Sequence, residues 1–179
     1  YAGQFGWPRM WVKCLDQVRI EPNELDESTI RRIKRQWSIY YPRHTSNLVE
    51  KSIAHATHMP FLQAHFRPAY FIVITRNGYT VAEGIQRRVV PGRWGNREYP
   101  DQYPIGLCAE QWRASDEIIE RQRPALDRVV EITYEQFTAD PAGTLRRVTD
   151  FLGIDPFPDS RFSERWFVRD KKEPIQNMN

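Results

Sequence analysis

Residues 70–88, with the sequence YFIVITRNGYTVAEGIQRR, decide the fold of this chain. The first six are aromatic or β-branched, and apolar except for the last, which is typical of a strand buried on both faces in a parallel sheet. Asn77-Gly78 then gives a turn signal, and a helical pattern starts at Tyr79. A buried strand that ends in Arg76 before a turn and a helix brings a guanidinium, free backbone N–H groups and the helix dipole together. The stretch therefore predicts an anion site, and the alternative is that Arg76 only solvates the strand end.

The composition is that of an ordinary globular protein. The 179 residues are 40% hydrophobic and 27% charged, so we expect a single domain over 1–179. The net charge of +3 suits an anionic ligand, and because the charge is spread out, nucleic acid is not expected as a partner. Cys14 and Cys108 form no CxxC pair, which favours a reducing compartment such as the cytoplasm. No signal-peptide pattern and no apolar run of 18 residues occurs, so no membrane span is expected.

Helical and strand patterns alternate along the rest of the chain. Residues 1–24 predict an irregular arm that packs through Trp7 and Trp11, and Asp26 is a candidate N-cap. The patterns predict helices over 27–41, 53–66, 107–122 and 141–152, and further short buried strands over 47–51 and 129–134. Three strands that alternate with helices predict an α/β domain with a mainly parallel central sheet.

The carboxyl ends of parallel strands are where ligands bind, and each predicted strand end carries candidate residues. Glu50, Lys51 and Ser52 lie at the end of the 47–51 strand, Arg76 follows the strand over 70–75, and Tyr134 ends the strand over 129–134. The sequence has no GxxxxGK[ST] motif, so an ordinary phosphate loop is not expected.

The histidines of the predicted 53–66 helix need separate interpretations. His55 lies one turn past a strand end and is a candidate site residue, whereas His58 and His65 are expected on the surface or as hydrogen-bonded core residues. No pair of them forms a convincing metal set with a nearby carboxylate, so no metal is expected.

Residues 89–105 form a long connection rich in proline, glycine, aromatic residues and arginine. Loops of this length are usually functional or mobile. The three aromatic residues Trp94, Tyr99 and Tyr103, together with Arg88, Arg93 and Arg97, make this segment a candidate substrate loop.

Three segments, taken in order, resemble the PAPS-dependent sulfotransferases, in which PAPS is 3'-phosphoadenosine 5'-phosphosulfate. LVEKS at 48–52 resembles the Glu-Lys-Ser/Thr-Pro strand end of carbohydrate-type members, and FIVITRNGYTVAEG at 71–84 resembles the strand and helix that bind the 3'-phosphate. ITYEQFTADPAGTLRRVTDFLGI at 132–154 resembles the Tyr-Glu-Asp-Leu … Asp-Pro … Phe-Leu-Gly segment. Each segment alone is loose, but their order and spacing over 47–154 make the resemblance fairly specific.

The resemblance implies a three-layer α/β fold similar to the P-loop kinases, and transfer of the sulfuryl group from PAPS to a hydroxyl or amine. Arg76 falls on the arginine that binds the 3'-phosphate, and Tyr134 falls on a tyrosine near the adenine. Lys51 falls on the strand-end lysine close to the reaction centre, and Glu50 or His55 would take the proton of the acceptor. The acceptor would be a small molecule or a carbohydrate, and the oligomeric state is left open.

The chain departs from the family pattern at three places. Gly84 stands eight residues after Arg76, where the family usually has a phosphate-binding Ser, and Ile53 stands where the strand-end motif has Pro. The upstream Arg-Ser/Gly-Gly-Thr loop for the 5'-phosphosulfate does not occur in residues 1–24, so the chain is expected to be incomplete at its N-terminus. A non-catalytic nucleotide-binding module and a phosphotransferase of similar fold are the alternatives, and the missing Walker lysine argues against the second.

Overall fold

The computed structural model describes residues 2–41, 47–158, 166–168 and 171–173. The chain divides into two compact units, which are described in turn. The first contains Tyr1–Ala69 and Ala82–Leu126, and the second contains Tyr70–Val81 and Asp127–Asn179. Helix α4, Gly78–Arg88, has residues in both.

A parallel pair of strands is the centre of the second unit. β1, Phe71–Thr75, pairs with β2, Val129–Thr133, in register from Phe71 opposite Val129 to Thr75 opposite Thr133. The expected strands over 70–75 and 129–134 are thus confirmed to within one residue, and the α/β class with a parallel sheet is confirmed with them.

One face of β1 is exposed, so the expectation that this strand is buried on both faces is wrong. Val73 is 7% exposed, but Ile72 and Ile74 on the opposite face are 39% and 63% exposed. The same face is covered at β2, where Val130 and Ile132, the register partners of Ile72 and Ile74, pack against Val148, Phe151 and Leu152 of the last long helix. Within the described residues β1 pairs only with β2, and this sheet has two strands.

The helices that follow β2 begin with side-chain caps. α6, Tyr134–Ala139, starts with a capping box between Thr133 and Gln136. α7, Pro141–Leu152, starts at Asp140, whose carboxylate accepts from the Gly143 N–H at 2.9 Å. It ends at Gly153 in the left-handed conformation, so the predicted caps of this helix are confirmed. β3, Trp166–Val168, and β4, Lys171–Glu173, form an antiparallel pair that the sequence did not predict.

Helices make up most of the first unit. α1 is Leu15–Val18, α2 is Glu27–Ser38, α3 is Met59–His65 and α5 is Ile105–Gln122. Short 3₁₀ helices cover Ala2–Phe5, Trp11–Cys14, Ile53–Thr57, Pro91–Trp94 and Arg123–Ala125. Asp26 caps α2 by accepting from the Thr29 N–H at 3.0 Å, as predicted. No helix among the described residues has the length and apolar character needed to cross a bilayer.

The core of the first unit includes the N-terminal arm, as the tryptophans predicted. Trp11 is 3% exposed, and Trp7 stacks on the buried Tyr103 with ring centroids 6.1 Å apart. The buried cluster around them consists of Met10, Ala82, Val89, Tyr103, Leu107 and Cys108. Burial raises the pKa of the Cys14 and Cys108 thiols, and neither cysteine is in a disulfide.

Residues 47–51 form no strand, which corrects the sequence prediction. Leu48 and Val49 are 46% and 80% exposed, because none of the described strands pairs with this segment. The apolar pair Leu48 and Val49 is the basis for predicting a buried strand, but among the described residues no sheet is present there to bury this pair. Glu50 and Lys51 lie in an irregular connection instead of at a strand end.

The predicted 53–66 helix is divided in two at His58. Pro60 has no N–H with which to continue the hydrogen-bonding pattern from the Ala56 carbonyl. The amide nitrogen of Gln122 donates to that carbonyl at 2.7 Å, while its amide oxygen accepts from the Met59 N–H at 3.0 Å. One side chain of α5 thus satisfies both backbone groups at the break.

Residues 89–105 are held at several points along their length. The Gly92 N–H donates to the Pro100 carbonyl at 2.8 Å, and the Asn96 amide nitrogen donates to the Gly6 carbonyl at 2.9 Å. Tyr103 is only 1% exposed, whereas Trp94 is 58% exposed. The candidate substrate loop therefore combines buried anchors with an exposed aromatic side chain.

A methyl group added at Gly92 should destabilise this loop. A Cβ at Gly92 would lie 2.6 Å from the Pro100 carbonyl oxygen, which is backbone and cannot rotate away. We expect Gly92→Ala to lower the free energy of unfolding by about 1–3 kcal/mol in urea denaturation. Gly106→Ala is the matched control, since a Cβ there meets nothing within 4 Å and alanine favours the helix. Equal stabilities of the two variants would contradict the loop geometry.

Candidate functional site

Arg76 and Tyr134 lie side by side in the second unit. Each directly follows its strand, and Thr75 and Thr133 are the last register partners of β1 and β2. The guanidinium carbon of Arg76 lies 4.3 Å from the centroid of the Tyr134 ring. This cation–π contact orients the planar guanidinium across the ring. Two residues that the sequence placed at separate strand ends therefore form one cluster, which we call the Arg76–Tyr134 stack.

Three backbone N–H groups of the turn after Arg76 already have hydrogen-bond acceptors within the protein. The Asn77 N–H donates to Glu135 Oε1 at 3.1 Å, and Asn77 Oδ1 accepts from the N–H groups of Tyr79 and Thr80 at 3.0 and 3.4 Å. The expectation that free backbone N–H groups at this turn would hold an anion is thus wrong for these three groups. The groups that could attract an anion at this end of the sheet are therefore the Arg76 guanidinium and the dipole of α4.

The sequence interpretation missed the roles of Asn77 and Glu135. It took Asn77-Gly78 as a turn, although asparagine two and three residues before helical N–H groups is also an N-cap signal. Glu135 has no such local signal, because its contact with Asn77 depends on the pairing of two strands that are distant in sequence.

Gly84 lies on α4, half-buried. A Cβ built there meets no atom within 4 Å. A serine, which the family resemblance places at this position, would therefore fit without moving its neighbours. The position lacks a side chain but has the space for one.

Glu50 and His55 come together in the first unit. Glu50 Oε2 makes a short contact with His55 Nε2, and the side chains are 33% and 22% exposed. The Glu50–His55 pair joins a residue of the irregular connection to the 3₁₀ helix Ile53–Thr57. Lys51 is exposed next to this pair in sequence.

The hydrogen bonds continue from His55 into the protein. His55 Nδ1 lies 3.1 Å from His58 Nε2, and His58 Nδ1 lies 3.0 Å from Thr57 Oγ1. The Thr57 hydroxyl in turn lies 2.8 and 3.1 Å from the carbonyl oxygens of Ala54 and Val18. Glu50, His55, His58 and Thr57 thus form one connected chain, which we call the Glu50–Thr57 chain.

His58, the second histidine of the Glu50–Thr57 chain, is neutral over most of the pH range. Burial, with the charge of His55 as the next cause, lowers the pKa of His58 from 6.5 to about 4. The sequence predicts that His58 and His65 are exposed or hydrogen-bonded, and both are hydrogen-bonded. His58 contacts Thr57 as described above, and His65 Nε2 lies 2.7 Å from the Pro22 carbonyl oxygen. What the sequence missed is the contact between His58 and His55, although their spacing of three residues is the visible signal.

Histidines and carboxylates cluster nowhere in the described ranges as a set of three or more that could hold a metal ion. The side chains at the two clusters supply a guanidinium, a phenol ring and a carboxylate–imidazole pair, and Lys51 is next to the second cluster in sequence. These groups can bind an anion and can accept or donate a proton.

The model of the sulfotransferase family matches residues 13–159 of this chain. This match covers most of the sequence and includes both clusters. The chain belongs to the sulfotransferase family.

The curated relatives are considerably longer than this chain. Omega-hydroxy-beta-dihydromenaquinone-9 sulfotransferases of Mycobacterium bovis and Mycobacterium tuberculosis are each 27% identical over 84% of this chain, which covers 39% of their length. The chain therefore spans about two-fifths of the curated relatives that it matches.

A solved structure shares the fold. The sulfotransferase domain from the curacin biosynthetic pathway superimposes with a TM-score of 0.57 at 24% identity, over 74% of this chain and 46% of that chain. Together with the parallel β1–β2 pair, this likeness confirms the expected P-loop-like α/β fold.

The shifted pKa of His58 should make stability depend on pH. Because its pKa is lower in the folded protein, protonation favours the unfolded chain, and stability falls as the pH drops from 6.5 toward about 4. We expect the wild type to lose up to about 3 kcal/mol of unfolding free energy over this window from this group. Urea denaturation at several pH values measures the loss, and His58→Gln is the control because it cannot titrate. Equal pH dependence in both proteins would contradict the assignment.

Proposed function

We propose that this chain transfers the sulfuryl group of PAPS to a hydroxyl group of a small-molecule acceptor. Membership of the sulfotransferase family supports sulfuryl transfer in general. The observation that carries the choice of donor is the Arg76–Tyr134 stack, which places an oriented guanidinium beyond the carboxyl ends of paired parallel strands. The resemblance of residues 71–84 to the 3'-phosphate motif supports the same donor.

In this proposal Arg76 binds the 3'-phosphate of the nucleotide. A guanidinium presents two N–H groups in a plane that matches two phosphate oxygens, which a lysine cannot do. The ring of Tyr134 limits the rotation of that plane, so less side-chain entropy is lost on binding. The family resemblance also brings Tyr134 close to the adenine.

The proposed reaction is an in-line displacement at sulfur. The acceptor oxygen forms a bond to sulfur while the bond between sulfur and the 5'-phosphate oxygen breaks, and its electron pair leaves with adenosine 3',5'-bisphosphate. The acceptor proton passes to the Glu50–His55 pair. The ammonium group of Lys51 offsets negative charge that develops on the transferred group and on the leaving phosphate.

The relatives and the exposed part of residues 89–105 support our choice of acceptor class. The mycobacterial relatives are named for an omega-hydroxylated menaquinone derivative, so we propose a small-molecule hydroxyl acceptor. We further propose that Trp94, 58% exposed, contacts this acceptor together with the exposed Arg93 and Arg97. A screen that detects addition of a sulfo group by mass across hydroxylated lipids, sugars, polyketides and amines tests the choice.

Removal of the Arg76 guanidinium should weaken nucleotide binding. One charge-assisted phosphate contact contributes about 1.5–3 kcal/mol, so Arg76→Ala should lower the affinity for adenosine 3',5'-bisphosphate by roughly 10- to 150-fold. Isothermal titration calorimetry on the folded proteins measures this change.

The matched control for this prediction is Arg128→Ala. Arg128 also lies over a tyrosine, Tyr70, at 5.2 Å, but at the amino ends of the same two strands. It therefore has the same charge and the same kind of contact, away from the ligand end of the sheet. Similar affinities of the Arg76 and Arg128 variants would refute the assigned phosphate site.

A hydroxyl group restored at Gly84 should strengthen binding of the same nucleotide. The family motif has a phosphate-binding serine at this place, and the structure has room for its Cβ. We expect Gly84→Ser to raise the affinity by roughly fivefold, which corresponds to about 1 kcal/mol for one hydrogen bond. Gly84→Ala adds the Cβ and the helix propensity without the hydroxyl. Equal gains from serine and alanine in calorimetry would show that the hydroxyl does not touch the phosphate.

The missing side chain at Gly84 also favours a second candidate function, a nucleotide-binding module without catalysis. Such a module would bind adenosine 3',5'-bisphosphate through Arg76 but would transfer no sulfuryl group from PAPS to any acceptor. Release of adenosine 3',5'-bisphosphate from PAPS in the presence of acceptor distinguishes the two functions.

A further inference from the structure

We propose that Thr57 and His58 are positioning residues that keep both ring nitrogens of His55 in hydrogen bonds, so that Glu50 is the group that receives the acceptor proton. This inference rests on the proposed sulfuryl transfer and deepens it. It decides between the two candidate bases, Glu50 and His55, that the sequence leaves open. It also gives a role to His58, which the sequence assigns only to the surface or the core.

The positions of the protons along the Glu50–Thr57 chain are deduced starting from Thr57. Its hydroxyl has a single proton, and two carbonyl oxygens, those of Ala54 and Val18, lie 2.8 and 3.1 Å from Oγ1. A carbonyl oxygen can only accept, so the proton of Thr57 points to these oxygens. The contact of 3.0 Å between Thr57 Oγ1 and His58 Nδ1 is then a bond in which His58 donates.

The same argument passes along the ring of His58. A neutral imidazole carries one N–H and one acceptor nitrogen. With its proton on Nδ1, His58 offers the lone pair of Nε2, which lies 3.1 Å from His55 Nδ1. His55 must therefore donate from Nδ1. The buried position of His58 supports its neutral form, because a second charge next to His55 would be desolvated.

A carboxylate can only accept, so in the contact with Glu50 Oε2 the Nε2–H of His55 donates. Both nitrogens of His55 then carry protons, and the ring has no lone pair with which to take the proton of an acceptor. The other ring neighbours are Trp37 beside His55 and Phe61 beside His58, and neither carries a charge. The ion pair that His55 makes is with Glu50.

Glu50 keeps acceptor capacity after its contact with His55. A carboxylate has two oxygens, and the contact with the ring uses Oε2. The side chain is 33% exposed, so an acceptor hydroxyl can approach it from solvent. In the proposed step the hydroxyl proton moves to the Glu50 carboxylate while the acceptor oxygen bonds to sulfur. His55 orients the carboxylate throughout.

The first test measures the proton positions without catalysis. Nitrogen-15 NMR of the histidine rings in the whole chain should show wild-type His58 neutral at neutral pH, with its proton on Nδ1, and His55 protonated at Nδ1. His58→Gln retains an acceptor near the position of ring Nε2, and His58→Leu removes it. We expect the Nδ1–H signal of His55 to persist in the glutamine variant and to be lost in the leucine variant. A proton on Nε2 of wild-type His58, or the same His55 signals in both variants, would overturn the inference.

The second test measures sulfuryl transfer. We expect His58→Leu to lower kcat by roughly 10- to 100-fold with KM changed less than about threefold, and His58→Gln to restore most of the loss. Glu50→Gln should lose roughly 100- to 10,000-fold in kcat, more than His55→Gln. A larger loss in His55→Gln would assign the base to His55 and overturn the proposal. Absence of transfer by the wild type would refute the proposed function and the role of Glu50 with it, while the NMR result would still decide the role of His58.

Discussion

The in-register parallel pairing of β1 with β2 is the constraint on which the candidate nucleotide site depends. Parallel strands in register end together, so the residues that follow them, Arg76 and Tyr134, lie side by side although 58 positions separate them in the chain (134 − 76). A shift of the register by one residue would turn alternate side chains to the opposite face and would separate guanidinium from ring. The packing of β2 on α7 fixes which face of β2 is buried. A small hydrophobic cluster thus holds the strand that Tyr134 follows.

A different kind of order governs the first unit, where buried polar groups do the positioning. The Glu50–Thr57 chain runs from a partly exposed carboxylate to backbone carbonyl oxygens, and each member is in hydrogen-bonding distance of the next. Partly buried hydrogen bonds are costly to leave unmade, so such a chain holds its members in place. The consequence for chemistry is that His55 is constrained at two atoms and Glu50 at one.

The sequence predicts features that local signals determine. β1 has a β-branched run that a turn ends, and α7 has Asp140, Pro141 and Gly153 at its ends, so both were found. The strand expected over 47–51 fails because two apolar residues do not become a strand unless another strand pairs with them. Among the candidate site residues, the proximity of Arg76 to Tyr134 could be predicted, because each follows one of two parallel strands that end together. The contact between Glu50 and His55 depends on the path of the chain through the irregular connection, which no periodicity encodes.

The amide of Gln122 joins two segments that are more than 60 positions apart in the chain, at the break before Pro60. Because this one side chain supplies both the donor and the acceptor that the proline interrupts, positions 60 and 122 are energetically coupled. Loss of the glutamine would cost more in a background that has the proline than in one that lacks it. Evolutionary drift at either site is therefore expected to be epistatic, and homologous chains should tend to exchange both residues as a pair.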